Sequence, residues 1–151
     1  MIKGGMPLNR NILRPYIMPW TVRWCEDAQK RMRKFGKKWR HELVNVGNNL
    51  TTLLTALEKG AKPEQLKLLG FVRSEPLGIL AIDESGPGKG SKMKAMRLYV
   101  FPHMEQRHLY AMILGDKSTQ SDDIRLSKVF VAGLTEQNQA PPLSGGDNFA
   151  E

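Results

Sequence analysis

At 151 residues the chain is sized for one domain with a single real core, and 40% apolar with 25% charged residues is the balance of a globular protein. No apolar run approaches the roughly 20 residues of a bilayer span; the opening MIKGGMPLNRN lacks a secretory apolar stretch, and the lone Cys25 excludes a disulfide framework or thiolate cluster, so a cytoplasmic protein is expected. The 23 Lys and Arg against 15 Asp and Glu, net +8, are the footprint of a chain that meets a polyanion: nucleic acid, the ribosome or an acidic protein.

Residues 1–19 carry Pro7, Pro15 and the Gly4-Gly5 pair without a steady period, and are expected to form an extended arm before a domain at 20–134. In PWTVRW, Trp20, Val22 and Trp24 alternate, which predicts a short strand. The period then lengthens. Trp24, Ala28, Met32, Phe35 and Trp39 recur at three- and four-residue steps and define one helix face, which makes Phe35 and Trp39 core residues. The opposite face holds Lys30, Arg31, Arg33, Lys34, Lys37, Lys38 and Arg40 with no acid among them. Such a face is either a solvated surface or a binding surface for RNA or the ribosome.

A second apolar seam, Leu43, Val46, Leu50, Leu53, Leu54 and Leu57, ends at Lys59-Gly60, a usual helix stop. A break at Gly36 or at 45–47 would make the two stretches a helical hairpin; without one they are a single long helix. After Pro63, LKLLGFVRSEPLGILAIDE has strand-type residues cut by Gly70, Pro76 and Gly78, and SGPGKGSK is a glycine-rich turn. KAMRLYVFP and HLYAMILG, joined by HMEQR, read as a hairpin. Thr119 or Ser121 caps a last helix with Asp122 and Asp123 in its first turn, and Ile124, Ser127, Phe130, Val131 and Leu134 form its core face. From Thr135 to the end the chain is too polar to order itself and reads as a disordered tail, 135–151. The order is strand, helices, three strands, helix: a small α+β domain with an N-terminal helical pair packed on an antiparallel sheet and a C-terminal helix.

Few residues invite chemistry. His41, His103 and His108 lack metal-ligand spacing, and GPGKGSK lacks the spacing of a phosphate-binding loop, so neither a metal nor a small-molecule cofactor is expected. His103 and His108 bracket a hairpin turn. Their imidazoles either share acid and base work on a phosphodiester or are polar residues of an exposed turn. Alternation puts Arg97, Tyr99 and Phe101 on one sheet face, where a guanidinium beside aromatic rings can hold a phosphate while a base stacks. The other reading pairs Arg97 with Asp83 or Glu84. Arg73 lies on an earlier strand.

EKGAKPEQLKLLGFVRSEPLGILAID, MRLYVF and HLYAMILGDKSTQSDDIRLSKVF, in that order, resemble the RelE/HigB superfamily of bacterial toxins over residues 20–134. In that family an arginine-bearing strand, an apolar strand, a lysine-containing polar loop and an acid-led last helix follow one another; here Arg97 and Tyr99, 109–114, Lys117 and 121–124 stand in those places. The resemblance implies a metal-independent mRNA endonuclease, free or ribosome-dependent, neutralised by a cognate antitoxin protein. In it the ribose 2′-OH attacks the adjacent phosphate while cations stabilise the transition state. Carried over, Arg97 stabilises the phosphate, Lys117 is the loop cation, Arg73 a second phosphate contact, and Tyr99 or His103 serves proton transfer or stacking. Where the family often has two adjacent lysines this chain has Asp116-Lys117, and its ends and glycine-rich turn are long. Those departures suit the alternative, a catalytically degenerate module of the same fold that binds nucleic acid or protein.

Overall fold

Two unlike faces of one sheet organise the chain. The computed structural model describes residues 18–87 and 93–139; most of the expected arm, the glycine-rich turn at 88–92 and the tail from 140 lie outside the described residues. Strand β1 (Thr21–Trp24) leads into helix α1 (Glu26–Gly36), helix α2 (Arg40–Glu58) and the single turn α3 (Pro63–Leu66). Strands β2 (Val72–Ser74), β3 (Leu80–Asp83), β4 (Met96–His103) and β5 (His108–Asp116) follow, and helix α4 (Gln120–Gln139) closes the described chain. The sheet order is β1-β5-β4-β3-β2. β1 runs parallel to β5 and every other pair is antiparallel, so the fold is the expected α+β domain with one parallel edge. The region after Pro63 yields four strands where the sequence predicts three, because the turn at Pro76–Gly78 folds β2 back on β3. Among the described residues no helix is long and apolar enough to cross a membrane.

The helical pair breaks just after Gly36, where Lys38 and Trp39 donate back to the Phe35 carbonyl, at 3.1 and 2.6 Å. Residues 45–47 continue α2. The leucine seam of α2 and Ala28 and Phe35 of α1 bury against Leu80, Ile82, Met96, Leu98, Val100, Leu109, Ala111 and Leu114. The opposite sheet face is covered by α4, whose Val131, Ile124 and Phe130 meet Ile79, Ala81, Tyr99, Met112 and Ile113. Across β4 and β5 the register shifts between Tyr99 and Val100, so that Tyr99 faces Ile113 and Val100 faces Ala111. Met112 is the extra residue of a bulge, which turns two consecutive side chains, Met112 and Ile113, toward α4.

The polar residues within α2 clamp the connection after β3. Asn45 Nδ2 donates to the carbonyls of Glu84 and Pro87 at 3.2 and 3.0 Å, and Asn49 Nδ2 to those of Asp83 and Ser85 at 2.9 and 2.8 Å. The buried Glu42 accepts from the Lys94 N–H at 2.7 Å, and Glu84 accepts from the Met96 N–H at 3.0 Å. A buried carbonyl without a partner costs more than a made bond returns, which is why Asn tolerates helix positions here that propensity alone disfavours. Asn49→Ala is expected to cost about 1–3 kcal/mol and to speed amide exchange at Ser85. An unchanged denaturation midpoint would show that water replaces the amide without loss.

Candidate nucleic-acid interface

Alternation along β4 places Arg97, Tyr99 and Phe101 on the face toward α4, as expected. Across that face the register aligns Arg73 with Ala81 and Tyr99, and Asp83 with Arg97 and Gly115. Arg73 is exposed, but it lies on the edge strand two strands from β4, about 10 Å away at ordinary strand spacing, and level with Tyr99 and not with Arg97. Arg97 is half-buried and, among the described residues, makes no ion pair. Asp83, directly across from it, uses Oδ1 to accept from the Ser85 N–H at 2.8 Å. Of the two readings of Arg97, pairing with an acid is absent among the described residues, and the guanidinium lies near the Tyr99 hydroxyl instead.

Tyr99 does not fit the role of a proton carrier. Its side chain is fully buried beneath α4. Burial pushes its phenol up, the Arg97 charge draws it partly back, and Asp123 and Glu75 raise it further. Arg97 lowers it by its charge and, more weakly, by side-chain contact with the hydroxyl, which has no partner in full hydrogen-bonding geometry among the described residues. Ser127 Oγ and Asp123 Oδ1, also buried, have no partner either.

Asp123 lies over Gly115, where the start of α4 presses on the strand beneath it. A Cβ on Gly115 would overlap the Asp123 carboxylate and crowd Thr119 Oγ1. Thr119 donates to Asp123 Oδ2 at 2.6 Å and accepts from the Asp116 N–H at 3.2 Å. Burial raises the Asp123 carboxyl above the usual range, while the Thr119 hydroxyl and the Arg31 charge restrain the rise. The folded chain therefore holds a proton that the unfolded chain has released, over the window between an ordinary carboxylate near pH ~3.9 and the raised folded value. The stability linked to that proton is complete below the window and lost as pH rises through it. Asp123→Asn keeps an acceptor for Thr119 and removes the charge, so its stability relative to the parent should climb with pH across the window. Urea titrations of both proteins at several pH values check this; a difference that does not change with pH would refute it.

Arg31 belongs to this layer and not to the solvent-facing cations. β1 reaches only as far as Ala111 along β5, and the edge beyond is open. Arg31 Nη1 donates to the Leu114 carbonyl on that edge at 3.1 Å, with its side chain half-buried. Lys30, Arg33, Lys34, Lys37, Lys38 and Arg40 are exposed, as a binding surface requires.

Lys117 opens a tight turn, Lys117–Thr119, between β5 and α4. Asp116 caps this turn: its Oδ1 accepts from the N–H groups of Ser118 and Thr119 at 2.9 and 3.3 Å and from the Ser118 hydroxyl at 2.6 Å, and α4 begins at Gln120, directly after Thr119, one of the two expected start positions. Asp116 also pairs with Lys94 at 3.4 Å. Burial opposes its ionisation, but the Ser118 bonds and the Lys94 charge outweigh that and hold its carboxyl below the usual range. Asp116 is thus occupied by the turn and by Lys94, and Lys117 remains exposed with no ion pair among the described residues. Lys117 lines a shallow depression of about 310 Å³ with Trp39, Met93, Lys94 and Ala95. Arg97 is absent from that lining. Its strand position is at the same end of the sheet, opposite Gly115, but it faces the α4 side.

His103 and His108 are direct cross-strand partners at the other end of β4 and β5. Six residues from Arg97, His103 lies about 20 Å away along the strand. It is buried, with Nδ1 accepting from the Gln106 N–H at 3.2 Å, and Nδ1 of His108 sits 3.3 Å from the Tyr110 hydroxyl. The pair belongs to the hairpin turn and is removed from Arg97, Lys94 and Lys117. Cys25 has its thiol pushed up by burial and by Asp27, the opposite of an activated nucleophile.

The helix continues to Gln139, five residues into the stretch that composition assigns to the tail. No family model, curated protein or solved structure matches the chain.

Proposed function

We propose that this chain is a RelE/HigB-like toxin of a type II toxin–antitoxin pair, a cytoplasmic, metal-independent endonuclease of mRNA, free or ribosome-dependent, that a cognate antitoxin holds in check. The observation that carries this reading is that three cations stand at one end of the sheet: Arg97 opposite Gly115 on the α4 side, and Lys117 and Lys94, the latter tied to Asp116, at the depression beside Trp39. In the reaction the ribose 2′-hydroxyl gives its proton to solvent as its oxygen bonds to phosphorus, and the bond to the 5′-oxygen breaks with a proton taken up there from solvent, leaving a 2′,3′-cyclic phosphate and a 5′-hydroxyl. Charge gathers on the phosphoryl oxygens in between, and cations fixed beforehand lower that barrier. Arg97 and Lys117 are the residues for this role, and burial of Tyr99 and the remoteness of His103 remove both from it.

That same burial favours a second reading, in which the basic surface binds RNA without cutting it. Inducible expression in a bacterial host lacking a partner gene, beside the Arg97→Ala/Lys117→Ala double variant and with RNA 5′-ends mapped, separates the two. Growth arrest with new ends that the variant lacks supports the nuclease. Unimpeded growth and intact RNA at confirmed soluble expression leave only the binding module.

A further inference from the structure

We propose that the depression at Trp39 is a nucleotide subsite for single-stranded RNA, with the indole stacking on a base and Lys38, Lys94 and Lys117 holding the flanking phosphates. This deepens the reading that the chain acts on RNA and rests on it.

Trp39 sits at the break between the helices, half-buried, with one side against the core and its ring reachable by two ammonium groups. Lys38 Nζ lies 5.1 Å from the ring centroid and Lys94 Nζ 5.2 Å. Lys117 lines the same depression. The three lysines come from separate places: the helix break, the segment before β4 and the turn after β5. Lys94 is fixed at its backbone by the buried carboxylate of Glu42, 2.7 Å from its N–H, so the segment's position does not depend on solvent. Lys94 Nζ also pairs with Asp116 at 3.4 Å, so its charge is shared with that carboxylate, and Lys38 and Lys117 are the lysines of the three without an ion pair among the described residues.

An aromatic face bordered by lysines matches a base with its phosphates. Every base offers a π face to stack, and lysine serves as a point charge for phosphate. A duplex keeps those faces to itself, so the ligand is single-stranded. Exposed cation–π contacts are individually weak; an arriving base displaces an ammonium from the ring, which then reaches a phosphate. The exposed Lys37 and Arg40 beside Trp39 continue the track for the backbone. An acidic peptide would use the cations but not the exposed side of the indole, whose other side packs on the core.

The test is fluorescence anisotropy with a labelled oligoadenylate octamer and its abasic counterpart, on the full chain and on Trp39→Leu, which keeps apolar packing without a stacking face, and Lys94→Gln/Lys117→Gln. Thermal melts confirm that each variant is folded, and Trp39→Phe stands in if the leucine is not. Trp39→Leu is expected to weaken the octamer about tenfold, about 1.4 kcal/mol, and to leave the abasic strand unchanged, with Trp39→Phe in between. The double lysine variant weakens both strands and flattens the salt dependence. Equal loss for both strands, or none, on Trp39→Leu overturns the subsite, as does polyglutamate displacing the octamer through the same tryptophan. Base-dependent binding at Trp39 without RNA cleavage supports the subsite and defeats the nuclease; cleavage lost in Arg97→Ala but untouched binding in Trp39→Leu does the reverse.

Discussion

Gly115→Ala should destabilise the protein by about 3 kcal/mol or more, although propensity points the other way. Alanine in a strand is favoured over glycine by about 0.5–1 kcal/mol through backbone entropy. Here the added Cβ falls on the Asp123 carboxylate and within 2.5 Å of Thr119 Oγ1. Neither can yield cheaply: Thr119 ties Asp123 to the Asp116 backbone, and those bonds fix where α4 begins. Overpacking a rigid site typically costs 1–3 kcal/mol, roughly, and lifting α4 also opens the contacts of Val131 and Phe130. At about 2–4 °C per kcal/mol for a chain this long, the melting temperature should drop by about 6–12 °C. The second substitution Asp123→Ala, which clears the space, should restore part of the loss. Melting temperatures of the two single variants and the double variant give the coupling. Purely additive losses would mean that the clash is relieved by a strand shift.

Much of this arrangement is legible in the sequence where one side chain reports one environment. The leucine seam from Leu43 to Leu57 is buried or half-buried as its spacing says, and the β4–β5 hairpin stands where HMEQR joins two apolar runs. Arg97 and Tyr99 share a face because alternation holds up to the bulge. What periodicity cannot carry is pairing. Nothing in TVRW says that it joins β5 in parallel, since that depends on the chain returning after two helices. The bulge at Met112 is silent because the residues on both sides are apolar. Asn45 reads as a helix break when only local preference is weighed; its helix position is offset by carbonyls some 40 residues away in the chain, at Glu84 and Pro87.

The candidate site was harder to read for the same reason. Trp39 follows the core period of α1, yet the chain turns at Gly36 and leaves the ring partly in solvent among lysines. Asp116 beside Lys117 reads as a neutralised cation, whereas the carboxylate turns to Lys94 and to the helix start. A signal was available for that second point: Asp116 is itself a capping residue type, with the Ser118 and Thr119 amides two and three positions on. Arg31 looks like one more surface charge until β1 is seen to stop short of Leu114.

Arg97→Ala is expected to lower RNA cleavage by about 10²–10³-fold, and Lys117→Ala by only about tenfold, if the nuclease reading holds. The asymmetry follows from where each charge sits. Arg97 is half-buried on a β-strand with its backbone paired on both sides, to Asp83 and to Gly115, so its guanidinium is held in place where water screens it less. A planar fork can also hold two phosphoryl oxygens at once, which Arg97→Lys cannot reproduce; that variant should recover only a small part of the rate. Lys117 is exposed on a turn, where salt screens it and its flexible stem must be ordered on each encounter. Raising salt should therefore depress the rate of the Arg97→Ala residue activity and of the parent alike through binding, but narrow the gap between parent and Lys117→Ala. Single-turnover cleavage of a defined RNA at 50 and 200 mM salt, with purified ribosomes and without, measures both effects. Equal losses at the two positions would place them in one rigid pair around the phosphate, and a parent-like rate in Arg97→Ala would take the strand arginine out of the chemistry and leave the lysines at the end of the sheet to bind RNA alone.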